Sequence, residues 1–143
     1  MELIHDELAA AAAGKPRIEL SADRITLAKR RWRGVAKDGR EFGFDLAHPL
    51  TDGAAFFETD GGVYIVTQQP ETLFEIAPGA PREAARIGWM IGNLHFPIEI
   101  DGDVLRVPED AAVRQLFERE HIHFATVQKI FRPLKAVSSH HAH

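Results

Sequence analysis

The side chains of this chain best able to do coordination chemistry are histidines, and they fall into three short stretches. These are His95 in "GNLHFP" (92–97), His121 with His123 in "EHIHF" (120–124), and His140, His141 and His143 in the closing "SSHHAH" (138–143). The chain has no cysteine. Disulfides, thiolate metal sites and cysteine nucleophiles are therefore absent, and His, Asp and Glu remain as the strong metal ligands.

His95 lies three residues after Gly92 and two before Pro97. Glycine suits the end of a helix, and proline pushes the residue before it toward an extended conformation, so the chain is expected to turn around His95 and present the ring to solvent. Trp89, Met90, Leu94 and Phe96 crowd the same stretch, more large apolar groups than one helix end can bury in its own domain. Some of them are expected to form an exposed patch, which marks an interface. A two-fold homodimer there would bring His95 beside its own copy and turn one ligand into two. The plain alternative is a histidine bonded to a neighbouring carbonyl.

The tail holding His140, His141 and His143 has no large apolar residue to anchor it after Val137. Short histidine-rich tracts of this kind are a compositional sign of binding Ni(II), Cu(II) or Zn(II). A purification tag is the competing explanation, although the interrupted "HHAH" is not the usual uninterrupted run. A His-x-His pair on a strand projects both rings to one face, so His121 and His123 could belong to a small metal enzyme. No carboxylate follows at a spacing that would complete a facial triad, and a solvated surface pair is the simpler reading. His5 and His48 read as loop or edge residues. "KRRWR" (29–33) joins four cations to a tryptophan, as single-stranded nucleic-acid binders do, yet it stands alone in an acidic chain and also reads as a charged strand edge that discourages aggregation.

No nucleophile elbow, P-loop, His-Glu-x-x-His or Gly-x-Gly-x-x-Gly is present, so no catalytic residue is assigned and a nonenzymatic role is expected. With 143 residues, 45% hydrophobic and 27% charged, the composition is that of one medium or two small globular domains. A formal net charge of −4 supplies no global field toward nucleic acid or anionic lipid. The acidic Glu2, Asp6 and Glu7 do not make a signal peptide, and no apolar run approaches a membrane span, so a cytoplasmic protein is expected.

The elements that must position these histidines follow from turn chemistry. Asp38-Gly39, Asp52-Gly53 and Asp60-Gly61-Gly62 read as tight turns separating short strands in "RIEL", "RITLAK", "WRGVAK", "EFGFDL", "AAFFE" and "VYIVTQ". That predicts a small antiparallel β sandwich or barrel over residues 1–70, preceded by a connector or frayed helix at Ala9 to Gly14. After the polar "TQQPE" the pattern changes. "TLFEIA" is a strand, Pro81 opens a helix that Gly92 stops, and "FPIEI" and "DVLRV" form a hairpin across Asp101-Gly102. Pro108 opens a second helix with Val113, Leu116 and Phe117 on its buried stripe, and "FATVQKIF" is a last strand. Strand, helix, strand, strand, helix, strand is the ferredoxin-like arrangement, expected over 71–136, with 137–143 as a histidine-bearing tail. The fold class is thus α+β in two domains, one of them all-β.

"IGNLHFPIEI" resembles the Gly-Asn-Arg-His segment of the urease accessory protein UreE family, the nickel metallochaperones. "RITLAKRRWRGVAKDGREFGFDL" is similar to the family's N-terminal domain, of peptide- or partner-binding type, and "DGDVLRVPEDAAVRQLFERE" with "KIFRP" to its C-terminal domain. The resemblance implies a homodimer that binds Ni(II) at its interface through His95, with His140, His141 and His143 as further ligands. It also implies delivery to the urease apoprotein together with an accessory GTPase. Leu94 stands where the family often has arginine, and "VPEDAA" stands where some members carry extra histidines. Cu(II) or Zn(II) would compete for the same ligands, and a metal bound by neutral imidazole should be released as pH falls through the ordinary imidazole range near about 6.5. The alternatives are a partner-binding module with incidental metal affinity and a His121/His123 enzyme.

Overall fold

The computed structural model describes residues 1–135, so His140, His141 and His143 lie outside the described residues. The fold is mixed α+β with strands dominant. Contacts divide it into two compact units, Met1–Gln69 and the chain from Pro70 onward.

The first unit contains two three-stranded sheets. One is ordered β1-β4-β3, from β1 (Glu2–Ile4), β3 (Arg31–Val35) and β4 (Glu41–Asp45). The other is β2-β6-β5, from β2 (Arg17–Ala22), β5 (Ala55–Thr59) and β6 (Gly62–Gln68). The expectation of an antiparallel sandwich is corrected here, because β1 runs parallel to β4 and β2 parallel to β6. Asp38-Gly39 closes the β3–β4 hairpin and Asp60-Gly61 the β5–β6 hairpin, but Asp52-Gly53 leads from one sheet to the other. "RITLAK" is no strand either. It holds a short helix, α1 (Arg24–Leu27), because the Asp23 carboxylate accepts the Thr26 N–H at 2.7 Å and caps the turn. No helix forms at Ala9 to Gly14.

The core of this unit is aromatic. Phe42 meets Phe56 edge to face at 4.9 Å, Phe44 stacks on Trp32 at 4.1 Å, and Tyr64 closes the cluster. Gly43 sits on the opposite face of β4, and Met1 and Leu3 lie across it so closely that a Cβ there would come within 3.0 Å of the methionine methyl.

The second unit runs β7 (Glu71–Ile76), α2 (Pro81–Asn93), β8 (Glu99–Asp101), β9 (Val104–Pro108), α3 (Ala111–Arg119) and β10 (Ala125–Lys129). Its sheet is ordered β10-β7-β9-β8 with every neighbour antiparallel. Phe74, Ile76, Leu105 and Val107 point to the helices and pack with Ile87, Ile91, Val113, Leu116 and Phe117. Pro108 ends β9 rather than opening α3. The helix begins after Asp110, whose carboxylate accepts the Ala112 N–H at 2.7 Å and so supplies an acceptor that proline lacks.

Alternate positions point away from the helices, and there Arg106 is buried on β9. Its guanidinium donates to Glu75 at 2.6 Å and Asp101 at 2.9 Å, with Glu99 at 3.6 Å. Burial alone would lower the pKa of this group, but the bonds to Glu75 and Asp101 more than offset that and raise it. Arg106→Met should cost about 3 kcal/mol in denaturant unfolding, since the carboxylates would be left without their cation. A loss under about 1 kcal/mol would show that the cluster is not needed.

Asp38 links the hairpin to the aromatic core of the first unit. It accepts the Tyr64 hydroxyl and the Arg40 N–H, which hold its carboxyl below the usual carboxylate range. A folded value below the unfolded one gives stability that is present above about pH 4 and lost as pH falls through the folded value. Asp38→Asn is expected to flatten the acid limb of a Tm-versus-pH curve, and an unchanged limb would remove Asp38 from that role.

Candidate metal centre

The last carbonyls of a helix need donors from beyond its end. At the end of α2 they come from two consecutive amides. His95 N–H donates to Gly92 C=O at 2.9 Å, and Phe96 N–H reaches Ile91 C=O at 3.4 Å. This pair of bonds is the Schellman closure, with Leu94 as cap and His95 in the next position, which requires a left-handed backbone. His95 has φ 65°. Gly92 is therefore not the helix stop that the sequence suggested. The helix runs through it to Asn93, and the histidine takes the place that glycine usually fills.

The backbone so arranged fixes where the imidazole goes. His95 is exposed, and Trp89 and Leu94 beside it in sequence are 68% and 38% exposed. Met90 and Phe96 instead pack against the core, so the expected apolar patch is real but smaller. Phe96 is the residue that the closure turns inward, as the motif's hydrophobic contact demands. The last turn of α2 carries no basic residue. The negative end of the helix dipole is therefore not neutralised by a side chain, and a cation held at His95 would be stabilised by it.

The other histidines are placed elsewhere. α3 ends in the same closure, with Ile122 N–H on Phe117 C=O at 2.8 Å, His121 N–H on Glu118 C=O at 3.4 Å, and φ 55° at His121. His121 and His123 thus lie exposed between α3 and β10, as the surface-pair reading expected, and the strand geometry that a His-x-His metal pair would use is not formed. Ile122 is buried between them, and Arg119 supplies a cation in the last turn of α3. Arg86 of α2 reaches Glu120, the cap of α3, at 3.4 Å. His95 lies nine residues further along, roughly 13 Å at 1.5 Å per residue, so the two helix ends are well apart. His5 bonds the Asp45 carbonyl through Nδ1 at 3.1 Å, and His48 is exposed before Pro49. Among the described residues no three His, Asp or Glu side chains gather closely enough to hold a metal ion.

One feature had no sequence signal. β10 ends at one edge of its sheet, while Leu134 N–H donates to Ile98 C=O at 2.7 Å beside β8, at the other edge. Crossing three interstrand gaps needs about 14 Å, which the five residues after Lys129 supply only when nearly extended. Phe131, midway along this strap, is 1% exposed. The strap thus ends bonded to Ile98, three residues along the chain from His95.

Residues 71–143 match the family model described as the UreE urease accessory protein, C-terminal domain. The chain belongs to the UreE family. Relatives named urease accessory protein UreE include one from Rhodopseudomonas palustris, 33% identical over 107 residues, which are 70% of this chain and 51% of that protein. One from Nitrosococcus oceani is 28% identical over 120 residues, 80% of this chain and 72% of the relative. One from Synechococcus is 38% identical over 66 residues, 46% of this chain and 44% of the relative. The match to the first and third thus spans about half their length. UreE proteins serve urease as accessory factors and are not enzymes.

The left-handed histidine carries a testable cost. An L-residue at such a position is strained by about 1 kcal/mol relative to glycine. His95→Gly is expected to raise Tm by a few degrees while deleting the ring, whereas a lowered Tm would mean that the imidazole itself holds the fold.

Proposed function

We propose that this chain is a nickel metallochaperone for urease assembly, which binds Ni(II) at a homodimer interface through His95 from each copy. His140, His141 and His143 complete the ligand set. The observation that carries this reading is the exposed imidazole of His95 on a strained left-handed residue, at an uncompensated helix C-terminus and flanked by exposed Trp89 and Leu94. Backbone strain of this kind persists where something other than stability retains it. The apolar neighbours supply a surface for the second copy, and family membership supplies the process. The unit from Pro70 is read as a ferredoxin-like domain, whose two crossover helices flank the central strands of the sheet.

The strap supports the tail's part. From Leu134 to His140 is six residues, a reach of up to about 20 Å, from an anchor bonded at Ile98. Imidazole alone does not discriminate Ni(II) from Cu(II) or Zn(II), so selectivity rests on geometry and supply. Delivery to the urease apoprotein with an accessory GTPase, in the cytoplasm, belongs to the same proposal. A ligand set drawn partly from a chain terminus suits a carrier, because ligands leave one at a time.

Calorimetric titration with Ni(II) tests the reading on wild type, His95→Ala and a chain ending at Ser139. The wild type is expected to bind tightest, the truncated chain at least tenfold more weakly, and His95→Ala to lose the tightest site. Retention of that site in His95→Ala would sink the proposal. Its retention there and loss on replacing His121 and His123 would favour the small metal enzyme instead.

A further inference from the structure

A groove of about 730 Å³ lies along α2 in the second unit. Ala84, Ala85 and Gly88 of the helix line it together with Ile98, Ile100 and Leu134. Asp103 is the one charged residue in the described lining. The helix side is built from the smallest side chains, and a Cβ added at Gly88 would meet nothing within 4 Å. Another stretch of backbone can therefore lie close against α2. Ile100 and Leu134 are 54% and 57% exposed, so the described residues leave the groove uncovered.

The sheet edge beside this groove also has backbone groups to offer. β8 and β9 are joined by a two-residue turn at Gly102 and Asp103, with Asp101 paired to Val104 and Glu99 to Arg106. The pair that closes such a turn is hydrogen-bonded and the pairs then alternate, so Glu99 and Asp101 bond to β9 while Ile98 and Ile100 turn their backbone groups outward. β8 is the end strand of its sheet, and the Ile98 carbonyl already takes the Leu134 N–H at 2.7 Å. Ile100 N–H and C=O have no partner among the described residues.

We infer that the groove is the seat of this chain's own Ala136 and Val137. They lie outside the described residues and are the apolar pair between Lys135 and Ser138. They come just after Leu134, which both lines the groove and is tied to Ile98. Leu134 to Val137 is three residues, a reach of about 10 Å, and the helix side from Pro81 to Gly88 is also about 10 Å long. A tether that short holds the pair at an effective concentration on the order of millimolar, which a second copy in dilute solution does not match. Small side chains suit a groove with a small-residue wall, and the main chain between them brings a donor and an acceptor to Ile100. Seating needs no metal. Its bearing on the metal centre rests on the nickel reading: an anchor at Val137 stands three residues before His140 and shortens that ligand's free reach from about 20 Å to about 10 Å.

The chain has no cysteine, so an introduced pair reports proximity without competition. The full chain carrying Ala85→Cys and Val137→Cys is oxidised in dilute solution with EDTA. Gln115→Cys with Val137→Cys is the comparison, since Gln115 is exposed on α3. The disulfide is expected within one monomer, read by mass, and at least tenfold faster at Ala85 than at Gln115. Gly88→Phe, which fills the groove, should slow the Ala85 bond at least tenfold, with Tm as the check on its fold. Ala136→Asp should do the same and changes no described residue, so it decides if Gly88→Phe does not fold. Equal rates at Ala85 and Gln115, or a rate unchanged by either folded variant, would overturn the inference. So would a disulfide formed mainly between monomers, which would give the groove to a second copy. The cross-link is read without metal, so its failure leaves the His95 titration standing, and failure of that titration leaves the cross-link standing.

Discussion

The carbonyls at the end of α2 must find donors, and the way they do so governs the rest of the candidate centre. Two amides past the helix close the turn, which forces a left-handed residue between Leu94 and Phe96. That single backbone requirement sends Phe96 into the core and His95 out of it. It also leaves the helix C-terminus open to a cation, because no basic side chain lies in the last turn. Position and exposure at His95 are thus two results of one hydrogen-bond arrangement, and the electrostatics come from the residues of the last turn.

The same closure at the end of α3 is an internal comparison. His121 has the same handedness and similar bonds, but Arg119 occupies the last turn and Ile122 anchors the segment. Two histidines in equivalent local geometry therefore differ in what surrounds them. The dipole at α2 awaits a positive charge, whereas the one at α3 already has one.

Local chemistry was legible wherever it was decided locally. Asp38-Gly39 and Asp60-Gly61 turned the chain into hairpins as read, and Val113, Leu116 and Phe117 formed the buried stripe of α3. Readings failed where partners far apart in sequence decided. β1 and β2 lie parallel to strands about 40 residues onward, and nothing in "ELI" or "RIEL" specifies such a partner. "RITLAK" misled because its β-branched residues outweighed an aspartate cap one residue earlier. Gly92 misled because glycine is the common residue at a left-handed cap, and here a histidine has taken that role. The turn at His95 and its exposure were therefore legible, but its left-handed strain was not. The strap left no sequence signal, because Phe131 read like the end of the last strand.

The strap also separates two properties that most binding sites confound. Because Leu134 is bonded at Ile98, three residues along the chain from His95, the proposed ligands His140, His141 and His143 would meet an ion there at an effective concentration governed by chain length. On the proposed nickel reading, residues added or removed beyond that anchor would change how often a ligand meets the ion. The length of the terminal segment would then be a dial on metal retention.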